Sequence, residues 1–189
     1  MVTDQADWMK NTAHWLRKAA ERDLPILGVC FGHQLLAHAF GGRVGVNPNG
    51  PELGSTNLRL TADGRTDPLL GGLPGDFIMQ MHHYESVLEP PTDATILAEN
   101  GHDPLQALHY GGRVWSVQFH PEISAALMRG LLQAEREKLE DRGIDADAVI
   151  RNVDETPWGP ALLRRFRDMA LGLQASGSAR ERNMTRAST

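Results

Sequence analysis

The chain has 189 residues, enough for one α/β domain with a substantial core but few for two full domains. Its formal net charge of -5 argues against nucleic acid as a main partner, because phosphate binding needs clustered Lys and Arg. No apolar run reaches the roughly 18 residues that a membrane span needs, and residues 1–10 do not form a signal peptide. With a single cysteine and no internal disulfide, a cytoplasmic location is expected.

The first predicted elements are a helix, a buried strand and a second helix. The first helix spans residues 4–20, with Trp8 and Trp15 near one face and Thr3 or Asp4 as its cap. Residues 24–29 read LPILGV, a short apolar run typical of a strand buried on both faces. Cys30 follows directly, and the second helix at 32–40 ends at a pair of glycines.

Beyond the glycine pair the hydrophobic period changes from that of helices to that of strands. Residues 56–61 and 77–81 are predicted strands, and 105–110 with 113–119 form a hairpin around Gly111 and Gly112. Ser124 is predicted to cap a polar helix that runs to about residue 141, and residues 160–171 form an amphipathic helix. Residues 174–189 are small and polar and are expected to be disordered.

This order of elements indicates one α/β domain with an antiparallel extension of its sheet. We expect the domain to span residues 1–173, with its core at 4–127 and C-terminal helices at 124–171. A strand buried on both faces belongs at the centre of a sheet, yet a helix alone precedes residues 24–29. Flanking strands are therefore expected to be missing at the N-terminus.

The turn after the apolar strand has the form of a nucleophile elbow. Residues 28–32 read G-V-C-F-G between a strand and a helix. The turn is so tight that the nucleophile takes a strained conformation and its neighbours need to lack bulky side chains, hence Gly28 and Gly32. The thiol of Cys30 would stand at a helix N-terminus, where partial positive charge favours the thiolate. The backbone N–H of Phe31 is available as an oxyanion donor.

A second segment supplies the other groups that such a thiol needs, a base and a partner that orients the base. His120 leaves the strand predicted at 113–119 at its carboxyl end, where α/β sheets place their active sites. Pro121 bends the chain, so that Glu122 can fold back and fix the imidazole tautomer. We therefore expect Cys30, His120 and Glu122 to act together.

Each of these residues also has a purely structural interpretation. Cys30 could be a small buried side chain, and His120 could be a hydrogen-bonded core histidine. Glu122 could cap the helix that begins near Ser124, and Gln34 could be a solvated helix position. The presence of both segments in one chain favours the catalytic interpretation.

The two segments resemble the signatures of a known family. P-I-L-G-V-C-F-G-H-Q at 25–34 and S-V-Q-F-H-P-E at 116–122 resemble those of class I glutamine amidotransferases, and especially the stand-alone members similar to the glutaminase domain of GMP synthase. The resemblance covers about residues 4–127. It implies a flavodoxin-like, three-layer α/β/α sheet with an antiparallel extension. Family members normally begin earlier, with strands and a glycine-bearing loop that supplies a second oxyanion donor, so this chain is expected to be N-terminally truncated.

The resemblance also implies an activity. Cys30, His120 and Glu122 would form a triad that hydrolyses the side-chain amide of glutamine through a γ-glutamyl thioester, with no cofactor. Gln34 would line the glutamine pocket, and the segment of His82, His83 and Tyr84 would border it, with His83 and Tyr84 binding the substrate. Because the chain carries no synthase module, the ammonia would pass to a separate synthase subunit. The E-L-G segment at 52–54 matches a family element to which we assign no role.

Two alternative functions stay open. The same triad could hydrolyse γ-glutamyl peptides or amides without a synthase partner. The chain could also be a binding or regulatory module, with catalysis impaired by the missing oxyanion loop.

Eight histidines raise the question of a metal site. His82 and His83 are adjacent, so on a strand they point to opposite faces and cannot easily share an ion. His33 and His38 are poorly aligned on a helix, and there is no second cysteine. We expect no metal.

Overall fold

The structure is a computed structural model that describes residues 1–4 and 6–172. After a short 3-10 helix at Val2–Asp4, the described residues contain seven α-helices: α1 Asp7–Glu21, α2 Phe31–Ala39, α3 Ala62–Thr66, α4 Ala125–Ala134, α5 Arg136–Glu140, α6 Ala146–Arg151 and α7 Trp158–Ala170. They also contain eight strands: β1 Ile26–Val29, β2 Arg43–Val46, β3 Glu52–Leu60, β4 Asp76–His83, β5 Glu85–Glu89, β6 Thr95–Glu99, β7 Ala107–His109 and β8 Val114–Val117. None of the helices in this part of the chain is long and apolar enough to cross a membrane.

A six-stranded mixed sheet forms the centre of the fold, in the order β1-β8-β7-β6-β3-β4. Strand β1 is parallel to β8, whereas the other neighbours in this sheet are antiparallel. Strands β2 and β5 form a separate antiparallel pair. The predicted α/β fold with an antiparallel extension is confirmed. So is the hairpin, because β7 and β8 are joined through Gly111 and Gly112, which both have positive φ.

Strand β1 lies at an edge of this sheet, where β8 is its one partner among the described strands. The expected covering of both faces is confirmed, whereas the central position that such a strand takes in a complete sheet is not found among the described strands. Leu27 and Val29 pack against the main core on one face, and Gly28 packs against α2 on the other. The run is apolar because both of its faces are covered, although its outer edge pairs with no described strand.

Helices cover both faces of the sheet because successive strand residues point to opposite sides. In β8, Trp115 and Val117 belong to the main apolar core together with Leu162 of α7. Ser116, between them, faces α2, and its hydroxyl lies 2.6 Å from Nδ1 of His33. Helix α1 packs on the outside of α2. This is the three-layer α/β/α arrangement expected from the resemblance.

The sheet curls, so that its two edge strands approach each other. Beyond β8, the backbone N–H of His120 donates to the carbonyl of Gln80 in β4 at 2.8 Å. Beyond β1, Sγ of Cys30 lies 3.8 Å from the carbonyl oxygen of His82, which is also in β4. The carboxyl ends of the parallel pair therefore meet the opposite edge strand.

The C-terminal helices differ in detail from the prediction. Ser124 caps α4 as predicted and accepts a hydrogen bond from the N–H of Leu127 at 3.3 Å. The predicted long helix is interrupted at Glu135, after which α5 begins. The amphipathic helix predicted at 160–171 is confirmed as α7. Residues 174–189, for which the sequence predicts disorder, lie outside the described residues.

Helix α1 begins at Asp7, later than predicted, and Ala6 at its N-cap makes no side-chain hydrogen bond. The predicted caps at Thr3 and Asp4 are therefore wrong. The hydroxyl of Thr3 instead donates to the carboxylate of Glu85, and the N-terminal amine pairs with Asp4. The long-range contact to Glu85 holds the start of the chain against β5.

Candidate active site

Cys30 stands at the turn between β1 and α2, with φ 49° and ψ -101°. Such a positive φ is rare for a residue with a Cβ and costs on the order of 1–3 kcal/mol. Hydrogen bonds on both sides hold it in place. The N–H of Cys30 donates to the carbonyl of Val117 at 2.9 Å, and its carbonyl accepts from the N–H of Gln34 at 3.2 Å, which begins the helix.

The two glycines of the elbow have different roles. A Cβ on Gly28 would lie 2.5 Å from the carbonyl oxygen of Gly32 and 2.5 Å from Cδ1 of Leu36, so α2 packs directly on the strand there. A Cβ on Gly32 would meet no atom within 4 Å. The expectation that crowding requires both glycines is correct for Gly28 and wrong for Gly32.

The His120 and Glu122 side chains meet as their spacing predicts. Nδ1 of His120 lies 2.6 Å from Oε1 of Glu122. The imidazole is 16% exposed and the carboxylate 47%, so the pair faces the surface without being fully solvated. Because β1 and β8 are parallel with Val29 beside Val117, the chain leaves both strands at the same end of the sheet and brings His120 next to Cys30.

The protonation of His120 reflects this neighbourhood. Burial lowers the pKa of the imidazole, but the interactions with the Cys30 sulfur in its ionised form and with the Glu122 carboxylate outweigh burial and raise the pKa to about 9. Burial raises the pKa of Glu122, but its hydrogen bond from His120 outweighs this and leaves the pKa below its ordinary value. The pair is therefore an imidazolium and a carboxylate at neutral pH.

Phe31 is the first residue of α2. N–H groups in the first turn of a helix have no acceptor within the helix, and the helix dipole adds partial positive charge there. The N–H of Phe31 directly follows the thiol-bearing residue in sequence. The role of this N–H as an oxyanion donor stays a prediction.

Gln34, predicted to line the substrate pocket, lies in α2 and is buried. Its Nε2 donates to the carbonyl of Glu85 at 2.5 Å and to Oε1 of Gln118 at 3.1 Å. Both hydrogens of the amide nitrogen are therefore engaged with protein acceptors. A direct bond from this nitrogen to a ligand would have to replace one of them.

His83 and Tyr84, predicted to border the pocket, lie at the end of β4 and just beyond it. The His83 ring is buried, with Nδ1 3.0 Å from the carbonyl oxygen of Glu85 and Nε2 3.0 Å from Oε2 of Glu52. Tyr84 is partly buried, and the guanidinium of Arg142 lies 4.5 Å from its ring centroid. Their substrate roles stay predictions, and the engaged nitrogens of His83 favour an indirect one.

Two further residues lie close to the thiol: His82, which belongs to the segment expected to border the pocket, and Gln118, for which no role was predicted from the sequence. The carbonyl of His82 lies 3.8 Å from Sγ, and Nε2 of Gln118 lies 3.7 Å from it. Gln118 stands two positions before His120. In an extended chain, side chains two positions apart point to the same side, so this spacing could have indicated that Gln118 lies on the side of the imidazole. The approach of the His82 carbonyl to the sulfur depends on the curl of the sheet, which no local pattern indicates.

Glu52, His83 and Asp103 are buried, with potential ligand atoms within 4.8 Å of one another, so they could hold a metal ion geometrically. The Glu52 carboxylate already accepts hydrogen bonds from His83 at 3.0 Å, Gln106 at 2.6 Å and Asn100 at 2.7 Å. Burial raises the pKa of Glu52, but these donors outweigh it and hold the pKa below its ordinary value. The E-L-G segment thus provides a structural link between β3, β4 and the chain around residue 103.

The curled mixed sheet and the strand–cysteine–helix turn at its edge define a class of protein. Residues 2–134 match the family model of glutamine amidotransferase class-I, and the chain belongs to this family. A crystal structure of a glutamine amidotransferase from Thermotoga maritima has the same fold, with a TM-score of 0.75 and 22% identity. The alignment covers 89% of this chain and 71% of that chain.

Among individual relatives, similarity to GMP synthases stands out. The chain is 46% identical to GMP synthase [glutamine-hydrolyzing] of Aeropyrum pernix over 99 residues, which are 52% of this chain and 19% of that protein. It is 39% identical to a subunit of GMP synthase [glutamine-hydrolyzing] from Ignicoccus hospitalis over 100 residues, 52% of this chain and 51% of that protein. The chain thus spans about a fifth of the first relative and about half of the second.

Proposed function

We propose that this protein hydrolyses the side-chain amide of glutamine to glutamate and ammonia through a thioester on Cys30. Membership of the family supports glutamine hydrolysis in general terms. The observation that carries the particular mechanism is the meeting of one thiol, one imidazole and one carboxylate at the carboxyl ends of β1 and β8.

In this mechanism, the sulfur of Cys30 attacks the amide carbon of glutamine while the imidazolium of His120 stands beside it. The carbon–nitrogen bond breaks, and His120 gives its proton to the leaving ammonia. His120 then takes a proton from water, which attacks the thioester and releases glutamate and the thiol. Glu122 orients and stabilises the imidazolium, and the N–H of Phe31 donates to the oxyanion.

In this proposal Tyr84 borders the substrate pocket, and the buried side chains of Gln34 and His83 hold the pocket wall from behind. Tyr84 offers a partly exposed ring against which the aliphatic part of a γ-glutamyl group can pack. The amide of Gln34 and the ring of His83 bind the same carbonyl, that of Glu85, and so shape the wall behind it.

Covalent labelling tests the nucleophile directly. A glutamine-derived chloroketone should attach to the chain at one site, and since the chain has a single cysteine, a thioether identifies Cys30 without ambiguity. Cys30→Ser should lose both labelling and ammonia release. His120→Gln should lower kcat/KM for glutamine by about a hundredfold or more, whereas His14→Gln on the exposed face of α1 should not. Ammonia release that survives in Cys30→Ser would reject the mechanism.

The choice of substrate separates this proposal from its alternatives. The expected result is a larger kcat/KM for glutamine than for γ-glutamylalanine. A preference for the dipeptide would favour the γ-glutamyl hydrolase, in which the same triad acts without a synthase partner. Turnover of neither substrate by folded protein would favour a binding or regulatory module.

We further propose that the ammonia is used by a separate synthase subunit. The relative from Ignicoccus hospitalis, which is named as one subunit of a GMP synthase, supports this arrangement. The test adds the chain to a GMP synthase from which the glutamine-hydrolysing part has been deleted, with glutamine as the sole nitrogen source. Formation of GMP in the mixture is expected. Formation from free ammonia but not from glutamine would contradict the partnership.

A further inference from the structure

The amide of Gln118 faces the sulfur that the proposed reaction uses. Gln118 is fully buried, and its Nε2 lies 3.7 Å from Sγ of Cys30, within the range of an N–H to sulfur hydrogen bond. In the thiol form the sulfur can itself donate to the carbonyl of His82, 3.8 Å away. A thiolate has no proton to donate, so that carbonyl would repel it, whereas the N–H of Gln118 would attract it.

A chain of hydrogen bonds decides which end of the Gln118 amide points at the sulfur. The carbonyl of Glu85 can act as an acceptor only, so Gln34 has to turn its NH₂ group towards it, at 2.5 Å. The second hydrogen of that group is donated to Oε1 of Gln118 at 3.1 Å. The oxygen of Gln118 is thereby fixed on Gln34, and its NH₂ group is left for the sulfur.

We propose that Gln118 binds the thiolate of Cys30 through its side-chain N–H, and that Gln34 acts through Gln118 as a positioning residue. This deepens the proposed function, since it concerns the same nucleophile. Gln118 is well suited to this task because it is neutral and buried, so it favours the thiolate without competing with His120 for a proton. The proposal also assigns Gln34 the role of positioning Gln118, which is compatible with both hydrogens of its amide nitrogen being engaged.

The test is the rate of alkylation of the single cysteine by iodoacetamide, measured against pH in the full-length protein. Gln118→Met keeps the length of the side chain and removes the donor. The pH of half-maximal rate should rise by about one unit, and the rate near neutrality should fall about tenfold, as expected for loss of a hydrogen bond to a charged group. Gln34→Met should shift the profile in the same direction by less, and Gln133→Met on the exposed face of α4 should not shift it.

A merely structural role would lower the thermal midpoint without moving the pH profile, so both are measured on every variant. If Gln118→Met does not fold, Gln118→Glu replaces it, because the isosteric carboxylate should raise the half-maximal pH further. An unshifted profile in a folded Gln118 variant would overturn the inference. Alkylation needs no turnover, so a shifted profile in a protein that releases no ammonia would reject the proposed function and leave this inference standing.

Discussion

At the residue scale, the backbone of Cys30 carries the strain that positions the thiol. Its φ of 49° suits glycine far better than a residue with a Cβ. Hydrogen bonds to Val117 and from Gln34 keep the residue there, so the strain is maintained by the sheet and the helix on either side. The strained backbone thus lowers the stability of the fold while it places the sulfur at the carboxyl end of β1.

This strain predicts an unusual order of stability among variants that lack the thiol. Cys30→Gly should be more stable than Cys30→Ala by about 1 kcal/mol, because relief of the strained φ exceeds the extra entropy of glycine in the unfolded chain. Urea unfolding of the two variants measures the difference, and neither has the sulfur, so loss of the thiol cancels. Equal stability, or a more stable alanine variant, would show that the backbone at this turn is unstrained.

The raised pKa of His120 predicts the pH dependence of activity. Burial lowers this pKa, while the ionised Cys30 sulfur and the Glu122 carboxylate raise it to about 9, so the imidazolium persists through neutral pH and is lost as pH rises through about 9. The alkaline limb of kcat/KM for glutamine should therefore lie near that pH. Glu122→Gln removes a group that raises the pKa, and the limb should move to lower pH.

The control for this prediction is Glu155→Gln, which removes one negative charge from an exposed position beyond the triad. This variant should leave the alkaline limb of kcat/KM for glutamine at the same pH. If the alkaline limb stays at the same pH in Glu122→Gln, then Glu122 does not act on the imidazole.

At the scale of elements, the strand–turn–helix unit depends on how closely α2 approaches β1. Gly28 lies in the strand where the backbone of α2 touches it, whereas a Cβ on Gly32, in the first turn of α2, would point into open space. The sequence motif treats the two glycines alike, but their surroundings differ. One serves packing, and the other has no neighbour that a methyl group would meet.

Alanine at these two positions should have opposite effects on stability. Gly28→Ala would place its Cβ 2.5 Å from a backbone oxygen of Gly32, and we expect a loss of about 1–3 kcal/mol or more because that backbone cannot move aside easily. Gly32→Ala meets nothing and gains helix propensity, so it should be neutral or stabilising by up to about 1 kcal/mol. Thermal unfolding of both variants checks this, and a well-tolerated Gly28→Ala would contradict the close packing.

The elements best predicted from the sequence are those with strong local signals. The hairpin around Gly111 and Gly112, the helix capped by Ser124 and the helix α2 all follow from turn chemistry, capping or helical period. Strands β2, β5 and β6 were not predicted, whereas β1, β7 and β8, which are no longer than these, were predicted from the apolar run before Cys30 and from the glycine turn at 111–112. The break at Glu135 also escaped prediction, because no proline or glycine marks it.

At the scale of the whole molecule, α7 and the segment just before it support the candidate site, although they lie beyond the residues that match the family model. Gly159 in α7 packs against Pro121, the residue between His120 and Glu122. The side chain of Gln80 donates to the carbonyl of Asp154 at 2.9 Å, while its backbone carbonyl holds the N–H of His120. The position of the imidazole therefore depends on residues far along the chain.

Gly159→Ala should consequently reduce glutamine hydrolysis, although the atoms nearest to the added Cβ belong to Pro121 and not to a reactive side chain. Its Cβ would lie 2.3 Å from the carbonyl oxygen of Pro121, so either α7 or the segment carrying the imidazole has to move. A displacement of about 1 Å can cost roughly a hundredfold in rate, and we expect a fall in kcat/KM for glutamine of at least about tenfold.

The matched control is Gly130→Ala in α4, where a Cβ meets nothing within 4 Å and alanine favours the helix. It should retain activity and be slightly more stable. If Gly159→Ala keeps full activity in a folded protein, the C-terminal helix does not support the imidazole.

The sequence by itself determined which reactive groups belong to each segment: a thiol at a glycine-flanked turn, and a histidine with a carboxylate two residues further on. Local backbone geometry places the thiol in its turn and the carboxylate beside the histidine. The tertiary structure decided where the two segments meet and what surrounds them. It placed β1 at a sheet edge, curled the sheet so that β4 reaches the sulfur, and turned the amide of Gln118 towards the sulfur and that of Gln34 towards Gln118. Contacts of this kind join residues more than fifty positions apart, and no local periodicity encodes them.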